Sequence, residues 1–193
     1  MEQNKKKTIV KEAFRLFYKN GYAGTSLDSI IQNAGIPRGS FYYYFESKEG
    51  LALEVMDYYS NIFIARINKV LTDKSVSPIQ RIVKLYSDYI DYYINKGKFY
   101  YGNFTGKIGQ EIGENSDEVR KKTNDLFEKI KLAHRNCIVE AIRAGEIPKS
   151  RDVEKLSEVI LYAWEGAAVR MTASGNCRAL FVFREFLKDN LLT

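Results

Sequence analysis

Between Ser26 and Phe45 the apolar positions mark two short helices joined by a tight turn. Leu27, Ile30, Ile31 and Ala34 recur at helical spacing, and Ser26 before them suits an N-cap, whose hydroxyl takes up a free backbone N–H of the first turn. Gly35 supplies a left-handed residue and Pro37 disfavours helical geometry just before it, so Ala34-Gly35-Ile36-Pro37 ends that helix. Arg38 to Phe45 then makes about two turns, and at roughly 100° per residue Phe41 and Phe45 point the same way and anchor it. Tyr43 lies opposite them with Gly39 and Ser40 on either side, while Tyr42 and Tyr44 flank the anchored face. A free face of hydroxyls, a glycine and an arginine suits a duplex groove better than open solvent.

The rest of the chain carries the same period. Ile9, Ala13, Leu16 and Phe17 predict a helix over 6–20 that Gly21 ends, behind a loose, polar, basic arm at 1–7. Ser47 caps a long helix running to about Val70, with Leu51, Leu53, Val55, Met56, Tyr59 and Phe63 mostly inward. After the polar break TDKSVSP, the stripe Ile79, Ile82, Val83, Tyr86, Ile90, Tyr93 and Ile94 predicts an amphipathic helix that Lys96-Gly97-Lys98 breaks. Four glycines interrupt 99–113, so that segment reads as a short or irregular helix. Asn115-Ser116 caps a helix to about Ala144, with Val119, Leu126, Phe127, Ile130, Ala133, Cys137, Ile138 and Ala141 inward. Two further helices follow, over 152–173 and 178–192. No strand-like alternation, repeat or low-complexity tract occurs, so the chain reads as all-α with about nine helices.

Composition narrows the picture. At 193 residues, 45% hydrophobic and 28% charged, the chain has the make-up of an ordinary globular protein. No apolar run reaches the ~18 residues of a membrane helix, and MEQNKKKT lacks the apolar core of a signal peptide, so a cytoplasmic protein with no membrane partner is expected. Of the net charge of +6, the first 48 residues hold eight bases against four acids, and a polyanion would bind there. Cys137 and Cys177 form no disulfide framework and read as free thiols. The best candidate for catalysis is His134 with Cys137, beside carboxylates such as Glu111 or Glu140. One histidine without a nucleophile motif argues against an enzyme, and two cysteines without metal-ligand spacing argue against zinc. No cofactor is expected.

Gly21-Tyr22, Thr25-Ser26-Leu27, Ile30, Ala34-Gly35-Ile36, Gly39-Ser40-Phe41-Tyr42, Tyr44-Phe45 and Ser47-Lys48-Glu49 with Leu51 together resemble the tetracycline-repressor-like (TetR/AcrR) transcriptional regulators. The likeness is close over the first quarter of the chain and extends to its whole length and helical layout. It implies an N-terminal three-helix helix-turn-helix domain at 1–50 and a larger helical ligand-binding and dimerisation domain at 51–193. Thr25, Ser26 and Lys48 match phosphate-contacting positions, where free N–H groups at helix starts favour an anion. Tyr42 and Tyr44 can reach phosphates on either side of a groove, which leaves base reading to Arg38, Gly39, Ser40 and Tyr43. One module offers too little contact for an operator, so a homodimer on double-stranded DNA is implied.

The resemblance also implies a small-molecule pocket among the middle helices. Tyr86, Tyr89, Tyr93, Phe104, Phe127 and Trp164 are its candidates, although aromatics at helical spacing serve equally as core. For the dimer interface, Trp164, Ala167, Met171, Phe183, Phe186 and Leu187 lie on the apolar stripes of the last two helices, with core again the alternative. Tyr101-Gly102-Asn103-Phe104, Gly109-Gln110-Glu111 and Trp164-Glu165-Gly166-Ala167 look like a branch in which some members sense electrophiles through a cysteine before Gly-Asn. Tyr101 stands in that place here, and Cys137 reads better as an inert core residue. The implied function is a homodimeric repressor that a small-molecule inducer releases by pivoting the fourth helix. The alternative is a helical ligand-binding or interaction protein with a vestigial DNA module.

Overall fold

The computed structural model describes residues 2–96 and 104–191. Among these residues the chain is all-helical: α1 (Glu2–Asn20), α2 (Leu27–Ala34), α3 (Arg38–Tyr44), α4 (Lys48–Leu71), α5 (Pro78–Lys96), α6 (Phe104–Ile112), a 3-10 turn at Gly113–Asn115, α7 (Asp117–Arg143), α8 (Val153–Ser174) and α9 (Arg178–Leu191). The caps fall where the sequence puts them. Ser26 Oγ accepts the Ser29 N–H at 3.1 Å, Ser47 Oγ accepts the Gly50 N–H at 2.9 Å, and Ser116 Oγ accepts the Val119 N–H at 3.3 Å.

Contacts divide the chain into two compact units, one of residues 2–62 with 104–126 and one of 63–96 with 127–191. A cut after residue 50 is a different division, because α6 and the start of α7 pack with the N-terminal helices. In this first unit Ile9, Phe17, Ile30, Phe41 and Leu51 are fully buried. Each such side chain stabilises the fold by ~1.5–3 kcal/mol through its removal from water. Phe104 of α6 completes the core, its ring 5.2 Å from Phe14 and 5.0 Å from Tyr59. Despite its glycines α6 is a regular helix of nine residues. Gly109 has a packing reason, since a Cβ there would sit 2.9 Å from Thr123 of α7.

In the second unit Tyr86, Trp164 and Phe183 form an aromatic centre with ring centroids 4.8–5.4 Å apart. Buried Arg81 pins the start of α5: it donates to the Val76 carbonyl at 2.8 Å and to Glu140 of α7 at 2.6 Å. Lys74 donates to the other oxygen of Glu140. The two bonds hold the Glu140 carboxyl below its usual pKa.

Two expectations change. The basic arm is not loose, because α1 begins at Glu2 and Lys6 pairs with Glu54 at 2.8 Å with its ammonium over the Phe45 ring. Ile94, read as inward on α5, is exposed. Residues 97–103, with Phe99, Tyr100, Tyr101, Gly102 and Asn103, lie outside the described residues.

Candidate nucleic-acid interface

Gly35 adopts φ 63° and ψ 37°, and its N–H donates to the Gln32 carbonyl while Ile36 N–H donates to that of Ile31. These bonds satisfy the last carbonyls of α2, and the left-handed residue turns the chain into α3. Phe41 is fully buried and Phe45 nearly so, with rings 5.5 Å apart, so α3 is held from one side by two aromatic anchors. The opposite side is open. Tyr43 is 70% exposed and Tyr42 52%. A Cβ at Gly39 would meet nothing within 4 Å, and Ser40 and Tyr44 are half-buried. Arg38, at the start of the helix, is exposed, and its Nη1 donates to Asp28 Oδ1 of α2 at 2.9 Å. The structure thus brings Arg38, Gly39, Ser40, Tyr42, Tyr43 and Tyr44 onto one short helix, with Ser26 at the cap of the helix before it.

Thr25 and Lys48 sit differently from expectation. Thr25 is 1% exposed; its hydroxyl donates to the Gly21 carbonyl at 2.7 Å and its N–H to the Tyr22 carbonyl at 3.2 Å. Both donors are engaged inside the α1–α2 turn, so Thr25 helps to build that turn. Lys48 donates to the Tyr22 carbonyl at 2.7 Å and its ammonium lies 4.0 Å from the Tyr22 ring centroid. Partial burial lowers its pKa, and the charge of Glu111 works against that shift. One of three ammonium hydrogens is therefore committed to the turn.

Two residues have roles at this site that the sequence does not signal. Asp28 faces Arg38 from ten positions away, a relation that only the helix-turn-helix geometry creates. Glu111 of α6 accepts the Ala23 N–H at 2.8 Å. Gly21 has φ 79°, a left-handed conformation that favours glycine, and a Cβ there would lie 2.6 Å from a terminal oxygen of Glu111, which would have to shift.

In the second unit Tyr86, Tyr89, Tyr93 and Trp164 are buried and Phe127 is half-buried. Phe104, expected with them, packs in the first unit against Phe14, Tyr18 and Tyr59. His134 Nδ1 lies 2.8 Å from the Ile130 carbonyl and Nε2 2.8 Å from the Tyr86 hydroxyl. A carbonyl only accepts, so Nδ1 carries the hydrogen, and Nε2 accepts the Tyr86 proton. Burial pushes the His134 pKa down to about 4. Among the described residues the buried Tyr89 hydroxyl has no hydrogen-bond partner; its ring is stacked 5.6 Å from Phe63 with Arg66 4.8 Å above it. The Cys137 thiol is buried, donates to the Pro78 carbonyl at 3.3 Å and has its pKa pushed up to about 11, which makes it unreactive.

Of the residues expected at a dimer interface, Trp164, Met171, Phe183 and Leu187 are buried within a single chain and belong to its core. Ala167 and Phe186 line a surface groove of about 750 Å³ with Val159, Ala163, Val182 and the edge of Phe183, and Arg170 and Arg178 border it. Tyr162 and Val169 are also exposed on α8. Among the described residues no helix is long and apolar enough to cross a membrane, and no three His, Cys, Asp or Glu side chains could hold a metal ion.

A capped helix, a glycine turn and a second helix held by buried aromatics with its polar face open form a helix-turn-helix unit, the reading element of DNA-binding regulators. The profile for bacterial regulatory proteins of the tetR family matches residues 9–55, and that for the tetracyclin repressor-like C-terminal domain matches residues 78–187. The chain belongs to the TetR family. It is 29% identical over 184 residues to the HTH-type transcriptional repressor DhaR of Mycobacterium sp. (strain GP1), covering 95% of this chain and 90% of that protein. It is 26% identical over 163 residues to the transcriptional regulator AcuR of Cereibacter sphaeroides, covering 84% and 74%. Its fold superposes on the crystal structure of a regulatory protein TetR from Rhodobacter sphaeroides with a TM-score of 0.87 at 24% identity, covering 95% of this chain and 96% of that one.

Proposed function

We propose that the protein is a homodimeric repressor that holds operator DNA with α3 of each protomer and lets go when a small molecule binds. The observation that carries this reading is the open face of α3: Arg38, Gly39, Tyr42 and Tyr43 are exposed there while Phe41 and Phe45 are buried, the Tyr42 ring resting edge-on against Phe41 at 5.4 Å. Tyr43 meets base edges or a thymine methyl, Arg38 a guanine, and Tyr42, Tyr44, Ser26 and the remaining donors of Lys48 meet the backbone. Repression agrees with the relative DhaR, a transcriptional repressor by name. As a DNA-bound regulator, it works in the cytoplasm.

Two such helices must meet successive half-sites, so a second copy is required. The groove of α8 and α9 supports it as the pairing face, because Val159, Ala163, Ala167, Val182 and Phe186 line it beside Arg170 and Arg178, apolar surface that a monomer leaves wet. For the inducer, the buried Tyr89 hydroxyl, without a hydrogen-bond partner among the described residues, supports a ligand that brings one polar atom into aromatic surroundings. Such a ligand must bind the DNA-incompetent form more tightly, and α4, which carries Lys48 at its start, is the element it would bias.

Binding to genomic fragments across a salt series tests the reading. Selective binding that weakens steeply with salt supports it. Absent or salt-insensitive binding favours a helical ligand-binding protein with a vestigial DNA module.

A further inference from the structure

Arg38 is the only charged side chain on α3, and its guanidinium is already engaged by Asp28 in the first turn of α2. The two side chains are 64% and 71% exposed, so the pair adds little to folding. It lies instead on the surface assigned above to DNA, where one carboxylate among phosphates is an unfavourable charge. A residue that weakens attraction to every duplex must return something in discrimination to make sense at this place.

We infer that Asp28 is a specificity-determining residue of the DNA-reading surface: it neutralises Arg38 towards phosphates and holds the guanidinium ready for a guanine edge. The inference rests on the DNA-reading role proposed above. An unpaired guanidinium in a groove bonds any phosphate it reaches, which adds affinity without sequence information. Joined to Asp28 the pair is neutral, and its carboxylate repels a phosphate approaching α2. The guanidinium has five N–H donors in a rigid fork, and Asp28 takes a single bond from Nη1. The donors left over can meet O6 and N7 of a guanine, neutral acceptors that do not require Arg38 to give up its partner. The bond also fixes a long side chain before DNA arrives, so less ordering remains to be done on binding.

An acid in the first turn of α2 also favours the helix dipole, with or without Arg38. A double-mutant cycle separates the two roles. Duplexes that wild type prefers are selected from a random-sequence library. One selected and one random duplex are then titrated with wild type, Asp28→Asn, Arg38→Ala and the double variant. Asp28→Asn is expected to tighten binding to the random duplex and to lower the selected-to-random affinity ratio by about tenfold, the discrimination of one bidentate base contact. Its salt dependence steepens by about one phosphate contact. In the Arg38→Ala background the same change leaves the ratio alone, and Asp28→Glu, which keeps the carboxylate, preserves it. A ratio unmoved by Asp28→Asn, or lowered equally in both backgrounds, overturns the inference. A wild type that selects no sequence overturns the DNA-reading role, and this inference with it.

Discussion

His134 is the one histidine of the chain and it sits fully inside, donating from Nδ1 and accepting at Nε2. Burial places its folded-state pKa near 4, below the ordinary 6.5, so the unfolded chain binds the proton more readily. Stability from this group is complete above about pH 6.5 and falls as pH drops towards 4, by roughly 3 kcal/mol at the acid end. Urea unfolding between neutral and acid pH, with the ring followed by NMR, is expected to give that decline and a ring midpoint below about 5. A midpoint near the ordinary histidine value would contradict the buried neutral imidazole. Sequence spacing alone sets His134 beside Cys137 as a catalytic candidate. Both side chains are engaged in the core, with their pKa values pushed away from reactivity.

At the scale of elements, the α1–α2 turn is held by Glu111 from α6 and by Lys48 from α4. Glu111→Ala removes the acceptor of the exposed Ala23 N–H, a loss of about 0.5–1.5 kcal/mol. Hydrogen exchange at Ala23 is expected to quicken in that variant and to recover in Glu111→Gln, which still accepts. Unchanged exchange would mean that water serves the amide equally well. Elements are legible in the sequence where their signals are local. Ser26, Gly35 and Pro37 mark the ends of α2 and α3, and helical spacing alone separates Phe41 and Phe45 from Tyr43. What periodicity cannot say is which neighbour covers an apolar face. The stripe of α6 gives no sign that Phe104 packs on Phe14, and that of α9 does not divide its buried Phe183 and Leu187 from its exposed Phe186. Thr25 shows a second limit. A hydroxyl at a helix start reads as free for a phosphate until the turn that engages it is known.

For the whole molecule, the exposed groove of α8 and α9 is the feature that a single chain leaves unexplained. Phe186 is 42% exposed there, so Phe186→Asp disturbs little of the core and places a charge where a second copy would seat. Sedimentation is expected to give a dimer for wild type and a monomer for the variant at similar thermal stability; a dimer unchanged by the substitution would move the pairing face elsewhere. The proposed function depends above all on α3 reading sequence through its open face, and Tyr43 stands at the middle of that face. The most direct measurement compares wild type and Tyr43→Ala on a duplex selected by the wild type and on a random duplex, with melting temperatures recorded for both proteins. The expected result is an unchanged melting temperature, retained salt-sensitive binding to both duplexes and loss of most of the preference between them. A variant that keeps the full preference would contradict a reading role for this face.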